Sequence, residues 1–188
     1  MILINIAGGP GAGKSTLAAY LYYRLKRAGV RTELVGEAAR EEHIYPGHPD
    51  RAPAPLLDNQ VLVAGQQFER VLRLQRHGIE VAVSDSPIEQ GLLYCADHPY
   101  FEGLTKTVYE IAGYFETYNV FINPKPGCYD PESRVQRTEA EARAHDKTVR
   151  KLMKNKFWAE YGWEDWDVLG DAAVALALSK RPKKRKRK

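Results

Sequence analysis

Cysteine is scarce in this 188-residue chain: Cys95 and Cys128 are the only two, and no cluster of His and Cys has metal-ligand spacing. That excludes a disulfide scaffold and a structural zinc site, and it makes a reducing, cytoplasmic compartment the expectation. Long apolar runs are also missing. The stretch Ala172 to Leu178 is far below the roughly 20 residues that a bilayer span needs, so no membrane partner is expected. The apolar start MILINIA has no basic segment before it and runs directly into glycines, which reads as a strand and not as an export signal. There is no internal repeat and no N-K-x-D guanine motif.

Apolar residues make up 44% of the chain and charged residues 28%, which places it among ordinary globular domains. The net charge of +4 hides an asymmetry. Eight Lys or Arg residues fall in the last nine positions, KRPKKRKRK, and without them the chain carries 20 bases against 24 acids. Residues 1–179 therefore read as one acidic domain, and 180–188 as a disordered basic tail. Lys180, Arg181, Lys183, Lys184, Arg185, Lys186, Arg187 and Lys188 form a candidate tether for a polyanion, with DNA the leading partner. If about six phosphates are neutralised, a fourfold rise in salt costs about three orders of magnitude in affinity.

Along the chain, short apolar runs alternate with helical periods. Strands are expected at Ile2–Ala7, Thr32–Val35, Glu80–Ser84, Val120–Ile122 and near Trp166–Leu169. Helices are expected after Gly13 as far as Gly29, from Leu57 to before Gly78, over Glu89–Ala96, Thr105–Thr117 and Thr138–Lys156, and finally over Asp171–Lys180. The segment PGHPDRAPAP, with Pro46, Pro49, Pro53 and Pro55, excludes helix. Five strands alternating with helices predict an α/β fold, a five-stranded parallel sheet covered by helices on both faces, and the G-x-x-x-x-G-K-[ST] motif after the first strand makes it one of the P-loop NTPase type.

The motif Gly8-Gly9-Pro10-Gly11-Ala12-Gly13-Lys14-Ser15-Thr16 matches G-x-x-x-x-G-K-[ST] between a strand and a helix. Glycines let backbone N–H groups and the helix N-terminus approach phosphate oxygens, Lys14 neutralises the transferring phosphate, and Ser15 is a ligand for Mg2+. Thr16 supports the α-phosphate side. ATP and Mg2+ are thus the expected cofactors. Phosphoryl transfer needs a carboxylate at the acceptor hydroxyl, another near the metal, and cations over the transferring group. Glu37 and Asp85 follow the second and third strands, the sheet edge where open α/β sheets bind ligands. Glu37 is the candidate base and Asp85 the candidate metal partner, with the two roles exchangeable. Arg40 lies one turn beyond Glu37 and is a candidate substrate contact. Arg134 and Arg137 suit a lid around 124–145 that closes on the phosphates, with Arg143 a weaker third. Tyr45, His48, Tyr94, His98, Tyr100 and Phe101 are candidates for stacking on a base.

Together, GGPGAGKST, VGEAAREE, VAVSDSPIEQGLLY and DPESRVQRTEAEARAHDKTVRKLM resemble the nicotinamide riboside kinase-like branch of the P-loop kinases, including its small bacteriophage members. The resemblance spans roughly residues 1 to 170 and implies Mg-ATP and transfer to a hydroxyl. With its basic tail and no fused nucleotidyltransferase domain, the chain most resembles the phage kinases that phosphorylate 5-hydroxymethyluracil within DNA during thymine hypermodification. A small-molecule nucleoside, nucleotide or nicotinamide riboside kinase is the alternative, and a DNA-stimulated accessory ATPase a second one.

Overall fold

The computed structural model describes residues 1–39, 59–125, 129, 138–153 and 157–181. Its first strand, β1 (Ile2–Ala7), is apolar at five of six positions and buried along its whole length. Helix α1 (Lys14–Arg27) leads to β2 (Thr32–Val35), and α2 (Gln60–Arg76) to β3 (Val81–Ser84). A 3₁₀ segment (Ile88–Tyr94) and α3 (Phe101–Gly113) precede β4 (Glu116–Ile122). Helix α4 (Glu139–Met153), β5 (Phe157–Tyr161), a 3₁₀ turn (Trp163–Asp165) and α5 (Trp166–Ser179) complete the order.

All strand pairings are parallel, in the order β2-β3-β1-β4-β5. Alternation along β1 divides the core between two faces. Ile2, Ile4 and Ile6 pack with Leu17, Leu21 and Leu25 of α1 and Leu169, Ala173 and Ala177 of α5. On the other face Leu3 and Ala82 meet Val71 of α2 and Phe115. Ile4 and Ile6 are fully enclosed, and each such side chain stabilises the fold by about 1.5–3 kcal/mol relative to exposure. Asn5 is the exception inside β1. Its Nδ2 donates to Asn119 Oδ1 at 3.0 Å across the β1–β4 register, so its burial is compensated.

The five-stranded parallel architecture agrees with the sequence, but several boundaries do not. The fifth strand was expected near Trp166–Leu169 and is instead Phe157–Tyr161. Trp166 to Leu169 forms the first turn of α5, because Leu169, Ala173 and Ala177 recur at i+4 and bury together, while Val168 points outward. The segment expected as helix Glu89–Ala96 is the 3₁₀ segment, entered at Pro87. Helix α3 begins and ends four residues before its expected bounds, and β4 gains the polar residues Glu116 to Tyr118, which pair with the start of β1.

Lys180 and Arg181, the first two residues of the basic segment, pair with carboxylates of the body. Lys180 Nζ lies 2.6 Å from Glu116 Oε1, and Arg181 makes a two-pronged pair with Glu80, Nε to Oε1 at 2.8 Å and Nη2 to Oε2 at 3.0 Å. Arg181 Nη2 also donates to the Gly29 carbonyl at 2.6 Å. Both residues are thus anchored on the body, at the edge where β3 and β4 begin. Residues 182–188 lie outside the described residues.

The Arg181 guanidinium, and then the Arg31 backbone N–H, hold the Glu80 carboxyl down at about 2. A carboxylate depressed by folding contributes stability above its unfolded value near 4.5, and that contribution vanishes as pH falls toward 2. Arg181→Ala should therefore lower stability at pH 7, and only slightly, because solvent screens an exposed pair. Thermal melts of variant and parent should converge between pH 4.5 and 2.

Candidate functional site

The central strand ends at Ala7, and the chain then turns through Gly8–Gly13 into α1. Gly11 (φ +70°) and Gly13 (φ +92°) occupy left-handed backbone conformations that a side chain would strain. A Cβ at Gly11 would meet the Tyr129 ring at 2.7 Å, and one at Gly13 the Trp163 ring at 2.5 Å. Two aromatic rings therefore close on the loop. Trp163 stacks on Trp166 with centroids 4.4 Å apart, and Lys125 Nζ sits 6.0 Å from the Trp163 ring.

Lys14 is only 7% exposed, and its ammonium folds back to donate to the carbonyls of Gly8 (3.1 Å) and Gly9 (3.0 Å). That posture keeps a cation poised over the loop whose N–H groups and helix terminus attract phosphate. Ser15 and Thr16 are exposed at the start of α1. Ser15 Oγ donates to Asp85 Oδ2 at 2.9 Å, so the first helical hydroxyl and the carboxylate after β3 meet. Two hard oxygen donors beside a phosphate loop fit Mg2+, which is held by one or two protein oxygens together with waters and nucleotide phosphates. No cluster of three or more His, Cys, Asp or Glu residues suited to a metal occurs among the described residues.

Glu37 lies two residues beyond β2, and Asp85 one beyond β3, both at the carboxyl edge of the sheet. Gln67 of α2 ties these ends together: its Oε1 accepts from Ala38 N at 2.9 Å and its Nε2 donates to Ser84 Oγ at 3.3 Å. Arg70 Nη1 adds a bond to the Gly36 carbonyl at 3.2 Å. The turn carrying Glu37 is thereby fixed from one helix. Beside it opens a cavity of about 90 Å³, walled by Val63, Ala64, Pro87, Ile88, Leu104 and Val108, with Glu37, Gln60, Gln90 and Tyr94 supplying polar groups. Among the described residues that line it there is no Lys, Arg or His.

Helix α4 approaches the P-loop from the other side. Arg150 grips Glu160 of β5 with Nη1 to Oε2 at 2.7 Å and Nη2 to Oε1 at 2.8 Å, and also donates to Asn123 Oδ1 at 2.8 Å. One turn earlier, Asp146 is 8% exposed and accepts from the Gly9 backbone N–H at 2.6 Å. His145 lies tilted against Tyr94 with ring centroids 5.3 Å apart, its Nε2 3.3 Å from the Tyr94 hydroxyl. Burial, and secondly the Lys14 ammonium, push the His145 imidazole below its usual range, which favours the neutral ring at pH 7.

Lys14, Ser15 and Asp85 thus converge on the loop, and Glu37 stands at the cavity. Arg40, Arg134, Arg137, Tyr45, His48 and Cys128 lie outside the described residues. Arg143 pairs with Glu139 at 3.2 Å within α4. Of the aromatic candidates, Tyr94 lines the cavity, whereas His98 and Tyr100 stack on each other at 5.0 Å and Phe101 packs against the cluster holding Leu92 and Cys95. Sequence reasoning missed Asp146, Gln67, Gln90 and Trp163. Asp146 had a signal: it falls on the buried stripe Ala142, Val149, Met153 of a helix, where a carboxylate needs a partner.

Residues 3–162 match the family model described as an AAA domain. Two solved structures are similar along nearly the whole chain. One, described as the crystal structure of APE1195, is 17% identical with 96% of each chain covered and a TM-score of 0.49. The other, a variant of the APS kinase CysC from Mycobacterium tuberculosis, is 13% identical with 93% of this chain and 95% of that one covered and a TM-score of 0.46.

Asp146→Ala leaves the buried Gly9 N–H without its acceptor, which should cost about 1–3 kcal/mol of stability. Asp146→Asn keeps an acceptor oxygen and should lose less. Denaturant unfolding of the two variants checks this ordering.

Proposed function

Because the chain belongs to the AAA domain family and carries a cavity at its P-loop edge, we propose that it is an ATP-dependent kinase that phosphorylates a hydroxyl. The cavity carries this reading: hydrolysis needs room only for water, whereas a walled apolar cleft with a carboxylate at its rim suits an organic acceptor. Glu37, on the cavity wall, takes the proton of the attacking hydroxyl as its oxygen bonds to the γ-phosphorus and ADP leaves. Lys14 neutralises the charge spread over the transferring group. Ser15 and Asp85 hold the metal, whose charge offsets that of the phosphates. Arg134 and Arg137 belong to the lid that completes the cation set, with Arg40 contacting substrate.

Within this reading the acceptor is the 5-hydroxymethyl group of 5-hydroxymethyluracil in DNA, as the likeness to the phage kinases and the basic tail suggest. Residues 182–188 reach at most about 25 Å from Arg181. Arg181, the residue they follow, sits at the far end of the strands beside Glu80, so within this reading they would grip DNA flanking the reacting base and not the base itself. The same position of Arg181 favours one second reading, a kinase for a free nucleoside such as nicotinamide riboside, in which the tail plays no part.

Incubation with Mg2+ and γ-labelled ATP, offering DNA with 5-hydroxymethyluracil, ordinary DNA and free nucleosides, separates these readings. Label is expected on the modified DNA; label on a nucleoside alone selects the second reading, and hydrolysis with no labelled acceptor rejects a kinase in favour of an accessory ATPase. Lys14→Ala should abolish transfer, Glu37→Gln should lower kcat by about 10²- to 10⁴-fold, and Asp85→Asn should raise the Mg2+ requirement. Removal of residues 182–188 should weaken binding of DNA of about twenty nucleotides and flatten its salt dependence, while an acceptor of about three nucleotides is unaffected.

A further inference from the structure

Gln90 sits on the 3₁₀ segment between the P-loop and the cavity, and it is only 5% exposed. Its Nε2 donates to the Gly8 carbonyl at 3.3 Å. A carbonyl can only accept, so this bond decides which end of the amide is which: the NH2 faces the P-loop. Oε1 is then the atom left over, enclosed and with no hydrogen-bond partner among the described residues. A buried amide oxygen without a donor is costly, and a ligand that brings an N–H recovers that cost.

We propose that Gln90 is a specificity-determining residue, whose Oε1 accepts a hydrogen bond from a ring N–H of the acceptor's uncharged heterocycle. The inference rests on the kinase reading above and names the chemical class that the same cavity takes. Three features select that class. The described lining carries no cationic side chain, so nothing on it pairs with a phosphate or sulfate on the acceptor. Its walls are aliphatic, from Val63, Ala64, Leu104 and Val108, which suits a flat ring. The volume of about 90 Å³ is of the order of the roughly 150 Å³ cavity that admits benzene in another protein, room for one small ring.

A cyclic imide such as uracil meets all three conditions, since its N3–H is a donor and the ring is neutral at pH 7. Gly8 O also receives Lys14 Nζ, so a change at Gln90 can reach the P-loop as well, and the preference between two rings, in which an effect on ATP cancels, is the quantity to read. Gln67 is not available to read the ring, as both ends of its amide are already engaged.

The test compares single-stranded oligonucleotides carrying 5-hydroxymethyluracil or its N3-methyl derivative as phosphoryl acceptors for the full chain. The wild type should disfavour the methylated ring by about tenfold to hundredfold in kcat/KM, and Gln90→Leu should lose most of that preference, read as the ratio between the two rings at saturating ATP. Equal use of both rings by the wild type overturns the proposal without any variant, as does a Gln90→Leu enzyme that keeps the full preference. If neither oligonucleotide is phosphorylated while ATP is hydrolysed, the kinase reading itself falls and this inference falls with it.

Discussion

A parallel strand buried on both faces and paired on both edges has only one place to meet a ligand, its end. β1 is that strand here. β3 and β4 take up its backbone groups, helices cover its side chains, and strand pairing stops just past Ala7, where the glycines begin. The position of Lys14, Ser15 and Asp85 follows from it. So does the crevice, because the connections after β1 and β3 depart toward different faces of the sheet.

The loop is held from several directions at once. Gly8 O accepts from both Lys14 and Gln90, Gly9 O from Lys14, and Gly9 N donates to Asp146. Asp146 is in turn positioned by the Arg150–Glu160 grip that fastens α4 to the last strand. Movement of α4 would thus be felt at the P-loop through one hydrogen bond, and at the cavity through the ring contact of His145 and Tyr94. Phosphate loop, cavity and α4 form one connected set of polar contacts inside an otherwise aliphatic core.

The two ends of the molecule have opposite characters. At the carboxyl edge of the sheet lie carboxylates, the phosphate loop and the cavity; at the amino edge Glu80 and Glu116 capture the first two residues of the basic tail. Charge complementarity there is local and direct, a pair of exposed ion pairs at the start of β3 and β4.

Residue order alone determined the alternation of strands and helices, the P-loop and the edge carboxylates. These depend on periods and spacings of a few residues, which local sterics and backbone hydrogen bonding enforce. It misplaced β5, because an apolar tryptophan-rich stretch reads alike as a buried strand or as the first turn of a helix, and only packing of Leu169, Ala173 and Ala177 against α1 decides. Tertiary structure alone brought Asp146 to Gly9 across 137 positions and Gln90 to Gly8 across 82, and so created the clasp on the loop and the unpaired amide oxygen in the cavity. Contacts between residues that far apart are selected by how whole elements pack, a global property that no local pattern encodes.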